Sequence, residues 1–158
     1  MKVLIVDNNP SNRRKMNELL ENQQAVKISN ILVAPNRIMG AMLIEAIEFD
    51  LVIFGGILEN ILPDGTTDVG NSVSLASQLL QKRQQAEMVL WTDKVQIIDK
   101  FSRLFQEQKR EFYPYLNWSK DITLSELEIR LMQIFQPSNH QIKVQSLLSS
   151  STHHQEIL

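Results

Sequence analysis

The chain has no cysteine. That excludes a disulfide framework and any thiolate metal site, and it suits a reducing compartment. Glycine and proline are sparse, five of each in 158 residues, which excludes collagen-like and low-complexity architectures. Neither sign of charge dominates: 16 lysines and arginines stand against 18 aspartates and glutamates, for a net charge of -2. A field that weak gives no pull toward nucleic acid or an anionic membrane. No apolar run approaches the roughly 18 residues of a membrane span, and "MKVLIVDNNP" meets an acid too early for a secretory signal. The expectation is a cytoplasmic chain, with no membrane and no direct nucleic-acid partner.

What is present is length enough for one real core, and a regular alternation. "KVLIV" (2–6), "VKISNILV" (26–33), "LVIFG" (51–55), "EMVLWT" (87–92) and a weaker "EFYPYLN" (111–117) read as strands. Their nearly unbroken Val, Ile and Leu content predicts strands covered on both faces, as in a parallel sheet. Between them "PSNRRKMNELLEN", "NRIMGAMLIEAIE", "DVGNSVSLASQLLQKR" and "KVQIIDKFSRLFQEQ" space apolar residues three and four apart, and "ITLSELEIRLMQIF" adds a fifth helix. Five such repeats predict a doubly wound α/β domain with a five-stranded parallel sheet over residues 1–135. The small basic clusters "NRRK" (12–15) and "QKRQ" (81–84) fall within helical patterns and read as solvated faces. From 136 to 158 the chain is polar and serine-rich; it reads as a partly disordered tail, docked in part through Ile142, Val144, Leu147 and Leu148. Those 23 residues are too few for a DNA-binding or catalytic domain of ordinary size. The pair His153-His154 lies there without further ligands in a metal-binding pattern, and "NWS" (117–119) is a sequon without a secretory signal.

In open parallel sheets the functional crevice lies beyond the carboxyl ends of the strands, near the point where strand order reverses. The residues placed there are Asp7 and Asn8, Gly55 and Gly56, Thr92 and Asp93, and Lys120. "VLIVDNNPSNRRKMNELLE", "FDLVIFGGILENILPDG", "VLWT" and "SKDITLSELEIRL" fall in order along residues 1–135. Together they resemble the receiver domain of two-component response regulators, which implies a flavodoxin-like (βα)5 fold. The resemblance implies an aspartate nucleophile at the end of the third strand, Mg2+ held by it and by an acidic pair after the first, and a Ser or Thr and a Lys facing the phosphoryl oxygens. The chemistry needs a carboxylate to attack and hard oxygen ligands for the metal.

Carried over by position, Asp7, Thr92 and Lys120 match that pattern. Gly55 stands at the acceptor position, Asn8 replaces the second acid of the pair, Asp121 replaces the proline after the lysine, and Asn117 replaces the readout aromatic. The changes at Gly55, Asn8 and Asn117, which together remove one chemical cycle, point to a pseudo-receiver, with a vestigial site of Asp7, Asn8, Gly55, Thr92 and Lys120, no catalytic residue, no metal and no cofactor. Without an acceptor, the simplest role for Lys120 is a structural ion pair with Asp7, and for Thr92 or Asp93 a cap on the next helix. Gly55-Gly56 reads as a tight turn that closes the pocket, and the segment from Gly55 to Asp64-Gly65 reads as a loop.

The resemblance implies output through the fourth helix, fifth strand and fifth helix. Leu124, Leu127, Leu131 and Phe135 form one apolar stripe for the core, while Ile129 and Met132 lie off it. With Phe101, Phe105 and Asn117 they define the expected surface for a protein partner or a homodimer. The function so implied is a signalling regulator that works by protein binding, independently of phosphorylation. A rival keeps the phosphorelay, with Glu59 or Asp64 as an unusual acceptor and Mg2+ on Asp7. A third, a flavodoxin-like or hydrolase scaffold using Asp7 as nucleophile, lacks a Gly-rich phosphate loop after the first strand.

Overall fold

The computed structural model describes residues 1–61, 63–82 and 85–136, with side chains described for all of these except 59–61 and 67–71. Strand β1 (Lys2–Val6) leads into helix α1 (Pro10–Asn22), followed by β2 (Asn30–Ala34), α2 (Arg37–Ala46) and β3 (Leu51–Gly55). Two further strands, β4 (Ile57–Ile61) and β5 (Thr67–Asn71), precede α3 (Val73–Gln81), β6 (Glu87–Trp91) and α4 (Val95–Glu107). A 3-10 turn (Pro114–Leu116), the short β7 (Asn117–Trp118) and α5 (Leu124–Phe135) follow. Most of the tail expected from residue 136, including the His153-His154 pair and its apolar residues, lies outside the described residues, as do Arg83 and Gln84 of the second basic cluster.

The principal sheet is parallel in the order β2-β1-β3-β6-β7, as expected for a doubly wound domain. Strand order reverses between β1 and β3, so their carboxyl ends flank the switch point. β3 is buried at all five positions, and β1 at all but its first, because helices cover both faces. α1 meets α5 on one face; α2, α3 and α4 pack in turn on the other. Local chemistry sets the helix starts. The Asn9 side chain accepts from the N–H groups of Ser11 and Asn12 with Pro10 at the first helical position, and Asn36 accepts from Met39. Thr123 and Glu126 form a reciprocal cap on α5.

Four expectations are corrected. The strand read at 26–33 begins only at Asn30, because the buried Gln23 holds the preceding turn: its amide donates to the Val26 carbonyl and accepts from Ala25 and Val26. The fifth strand, read at 111–117, is the two-residue β7, since Pro114 sets a 3-10 turn where the ladder would run. The third helix, read from 68, begins at Val73. The residues ahead of it form β5, paired antiparallel with β4 from Ile57↔Asn71 to Ile61↔Thr67. The segment after β3, read as a loop, is therefore a β-hairpin. Its tip carries Asp64-Gly65, with Gly65 at φ 87°, a backbone that glycine adopts freely. The base closes where the Ser72 N–H donates to the Gly56 carbonyl, at 3.2 Å.

Candidate functional site

The ends of β1, β3 and β6 lie side by side, and the loop after β7 folds over them. Asp7 continues β1 by one residue, its N–H donating to Ala34 O. Its carboxylate is 2% exposed as a residue, so burial demands partners. Lys120 Nζ lies 2.6 Å from Oδ2, the Asn9 N–H donates to Oδ1 at 2.8 Å, and the Asn12 side-chain amide reaches both oxygens at 3.4 and 3.5 Å. Arg13 donates to the Asp7 carbonyl at 2.8 Å. Both carboxylate oxygens are thus engaged from within the chain.

Lys120 is fixed as closely. Its Nζ lies 3.8 Å from the centroid of the Trp91 ring, a cation–π contact made on the fully buried end of β6. The Lys120 N–H donates to Asp93 Oδ2, its carbonyl accepts from Lys15 Nζ, and Trp91 Nε1 donates to Ser119 O. Burial pushes the ammonium pKa down; the hydrogen bond and charge of Asp7, and the charge of Asp93, pull it back, while Lys15 acts with burial.

The glycines mark where neighbours take the room of a side chain. A Cβ on Gly55 would stand 2.5 Å from Asp7 Oδ2, and one on Gly56 would stand 2.7 Å from Thr92 Oγ1. The Gly55 carbonyl accepts from the Ser72 hydroxyl. Neither Thr92 nor Asp93 caps α4 as expected: that helix starts after Lys94, whose N–H donates to Thr92 Oγ1 at 3.2 Å, and Asp93 serves the lysine loop.

Sequence reasoning placed Asp7, Asn8, Gly55, Thr92 and Lys120 at the strand ends, and the fold puts them there, with Asn8 half-buried beside Asp7. It missed Trp91, Asn12 and Ser72. Asn12, three residues past the cap Asn9 and one turn from Asp7, carried a helical-spacing signal; Trp91 read only as strand. The Mg2+ that the resemblance implies does not suit this donor set: Asn8 is neutral, β3 ends without an acid, and Asp7 is already saturated. Among the described residues no three His, Asp or Glu side chains are grouped to hold a metal ion.

Asp64 sits exposed at the hairpin tip, where its Oδ1 accepts from the Thr66 N–H and hydroxyl, contacts that pull its pKa down. The length of β4 alone carries the tip about 13 Å past Ile57. Glu59 lies in β4, and its side chain lies outside the described residues.

The expected partner surface is corrected at Phe101 and Phe105. Phe101 and Phe105 point into the core at 0 and 1% exposure, in a ring cluster with Phe54 and Phe112. Asn117 donates its side-chain amide to Leu90 O and Thr92 O, both at 3.2 Å, stitching the short edge strand to β6. Leu124, placed in the buried stripe with Leu127 and Leu131, is exposed at its margin. Ile129 is 55% exposed, with Met132 half-buried nearby on the same helix.

No family model and no curated protein matches this sequence. Solved structures do match, receiver domains among them. One is the N-terminal domain of a response regulator/sensory box/GGDEF three-domain protein from Carboxydothermus hydrogenoformans, at TM-score 0.62 and 12% identity over 90% of this chain and 99% of that one. Another is the signal receiver domain of an HD domain-containing protein from Pseudomonas fluorescens Pf-5, at 0.62 and 18% over 88% and 97%. A CheY-like receiver domain from Methanospirillum hungatei JF-1 matches at 0.58 and 17% over 90% and 96%. The fold is therefore that of a signal receiver domain. Among the described residues no helix is long and apolar enough to cross a membrane.

Proposed function

We propose that the chain is a receiver-fold signalling regulator that acts by binding another protein and is not phosphorylated. What supports this is the Gly55–Asp7 contact: the space for the acceptor's first side-chain carbon is taken by the Asp7 carboxylate. An aspartate at Gly55 would need that space, and a second negative charge beside Asp7 would compete for Lys120. The ammonium that would meet a phosphoryl group already neutralises Asp7. Trp91 and Asn12 hold the pair closed, so the crevice acts as a structural clasp across the switch point. Output then belongs to a surface, and the exposed Ile129 with Met132 on α5 is where a partner docks.

The test is intact mass after incubation with Mg2+ and acetyl phosphate, alongside a conventional receiver. The expected result is no adduct on this chain while the control is labelled. A base-labile adduct on Asp64, Glu59 or Asp7 would overturn the proposal and identify the acceptor.

A further inference from the structure

The amino end of β6, opposite the strand-end crevice, opens on a cleft of about 330 Å3 that the proposed function does not use. Ligand sites begin near that size. Its walls include Glu87, Glu111, Tyr113 and Tyr115, with Leu116 and Ile134 of α5 supplying apolar surface. The two tyrosine rings stack, with centroids 5.2 Å apart and planes within 6°. Glu87 is half-buried, yet among the described residues nothing hydrogen-bonds its carboxylate and no cation forms an ion pair with it. Arg110 also borders the cleft, but its guanidinium lies over the Phe105 ring, 5.2 Å from the centroid. It reaches Glu87 only through its field.

Two carboxylates, Glu87 and Glu111, stand around the cleft against one guanidinium, that of Arg110. Burial pushes the Tyr115 hydroxyl pKa up, and Tyr113, Glu87 and Glu111 push it further. A half-buried carboxylate short of a partner, beside paired aromatic faces, is complementary to a positive group that brings its own N–H donors. An anion would meet two carboxylates, and a neutral apolar group would leave Glu87 unpartnered. We infer that this cleft binds an organic cation, an alkylguanidinium or alkylammonium group, held by Glu87 and the Tyr113–Tyr115 ring pair. The chemistry is the same whether the group belongs to a free amine or to a basic side chain presented by a protein.

The test uses the full chain and calorimetric titration with two probes, agmatine as the free cation and Nα-acetylarginine amide as the peptide form. Saturable one-to-one binding of either is expected, and the tighter probe identifies the source. Glu87→Gln, which keeps shape and removes charge, should weaken binding about tenfold or more, and Tyr113→Ala should weaken it by several-fold. Tyr113→Phe should bind as the parent does, and it keeps the ring contribution testable if the alanine variant folds poorly. No saturation with either probe, or undiminished binding by Glu87→Gln, would overturn the proposal. A phosphoryl adduct at the opposite end of the sheet would refute the proposed function and leave this one standing.

Discussion

Asp7 Oδ2 stands 2.5 Å from the point that a Cβ on Gly55 would occupy, and the same oxygen receives the Lys120 ammonium at 2.6 Å. The glycine and the ion pair are one arrangement: a side chain on β3 cannot be added without moving the carboxylate that holds the lysine loop.

Gly55→Ala should therefore destabilise the fold, by about 1–3 kcal/mol for a side chain forced into occupied space. Gly55→Asp should cost more and still take no phosphoryl group from acetyl phosphate. Urea unfolding and intact mass check both; a stable, labelled Gly55→Asp protein would contradict the argument.

Lys120→Met should cost about 2–3 kcal/mol, less than a fully enclosed pair because the lysine is partly exposed. Asp7→Asn combined with Lys120→Met should recover much of that loss, since the buried charge is then gone from both sides. A double-mutant cycle with no coupling would mean that the contact holds nothing.

Glu87 gives the pH prediction. Burial raises its carboxyl pKa in the folded chain, and Arg110 offsets this only in part. The folded state then holds the proton more tightly than the unfolded one, so this group's contribution is fully present below the ordinary value of 4.5 and is lost as pH rises through the raised value. Glu87→Gln should remove that decline and leave the chain more stable than the parent at neutral pH when no cation is bound. Melting temperatures across pH 4 to 8 decide it: a variant curve that parallels the parent's would refute the sign.

The two kinds of residue assigned to the partner surface should separate cleanly. Phe101→Ala empties the ring cluster and should cost about 3–5 kcal/mol. Ile129→Asp should change stability by no more than about 0.5 kcal/mol, as exposed substitutions do. Thermal unfolding of the two variants distinguishes them, and a large loss for Ile129→Asp would place that side chain in the core.

The parallel sheet was readable because continuous apolar strands and helical spacing repeat in step from Lys2 to Phe135, and the strand ends followed from topology. The hairpin was not, although Asp64-Gly65 is itself a hairpin turn signal; the "DVGNSVSLASQLL" period ran the helix back over β5. Asn117 and the buried phenylalanines show a second limit. Spacing on α4 marks an apolar face but does not say how much of it the sheet covers, and an asparagine replacing an aromatic is silent about which carbonyls it will meet. The Trp91–Lys120 stack joins residues 29 positions apart, and no local pattern announces it.

The hairpin leaves the sheet at Gly56 and returns at Ser72, two residues joined by a hydrogen bond, with Leu58 tucked into the core as an anchor. An excursion that ends where it began leaves the geometry of its host unchanged. Leu58 ties the base of the arm to the core, so the part open to lengthening, shortening or exchange is the outer end toward Asp64-Gly65, which makes the tip a graft point for new specificity.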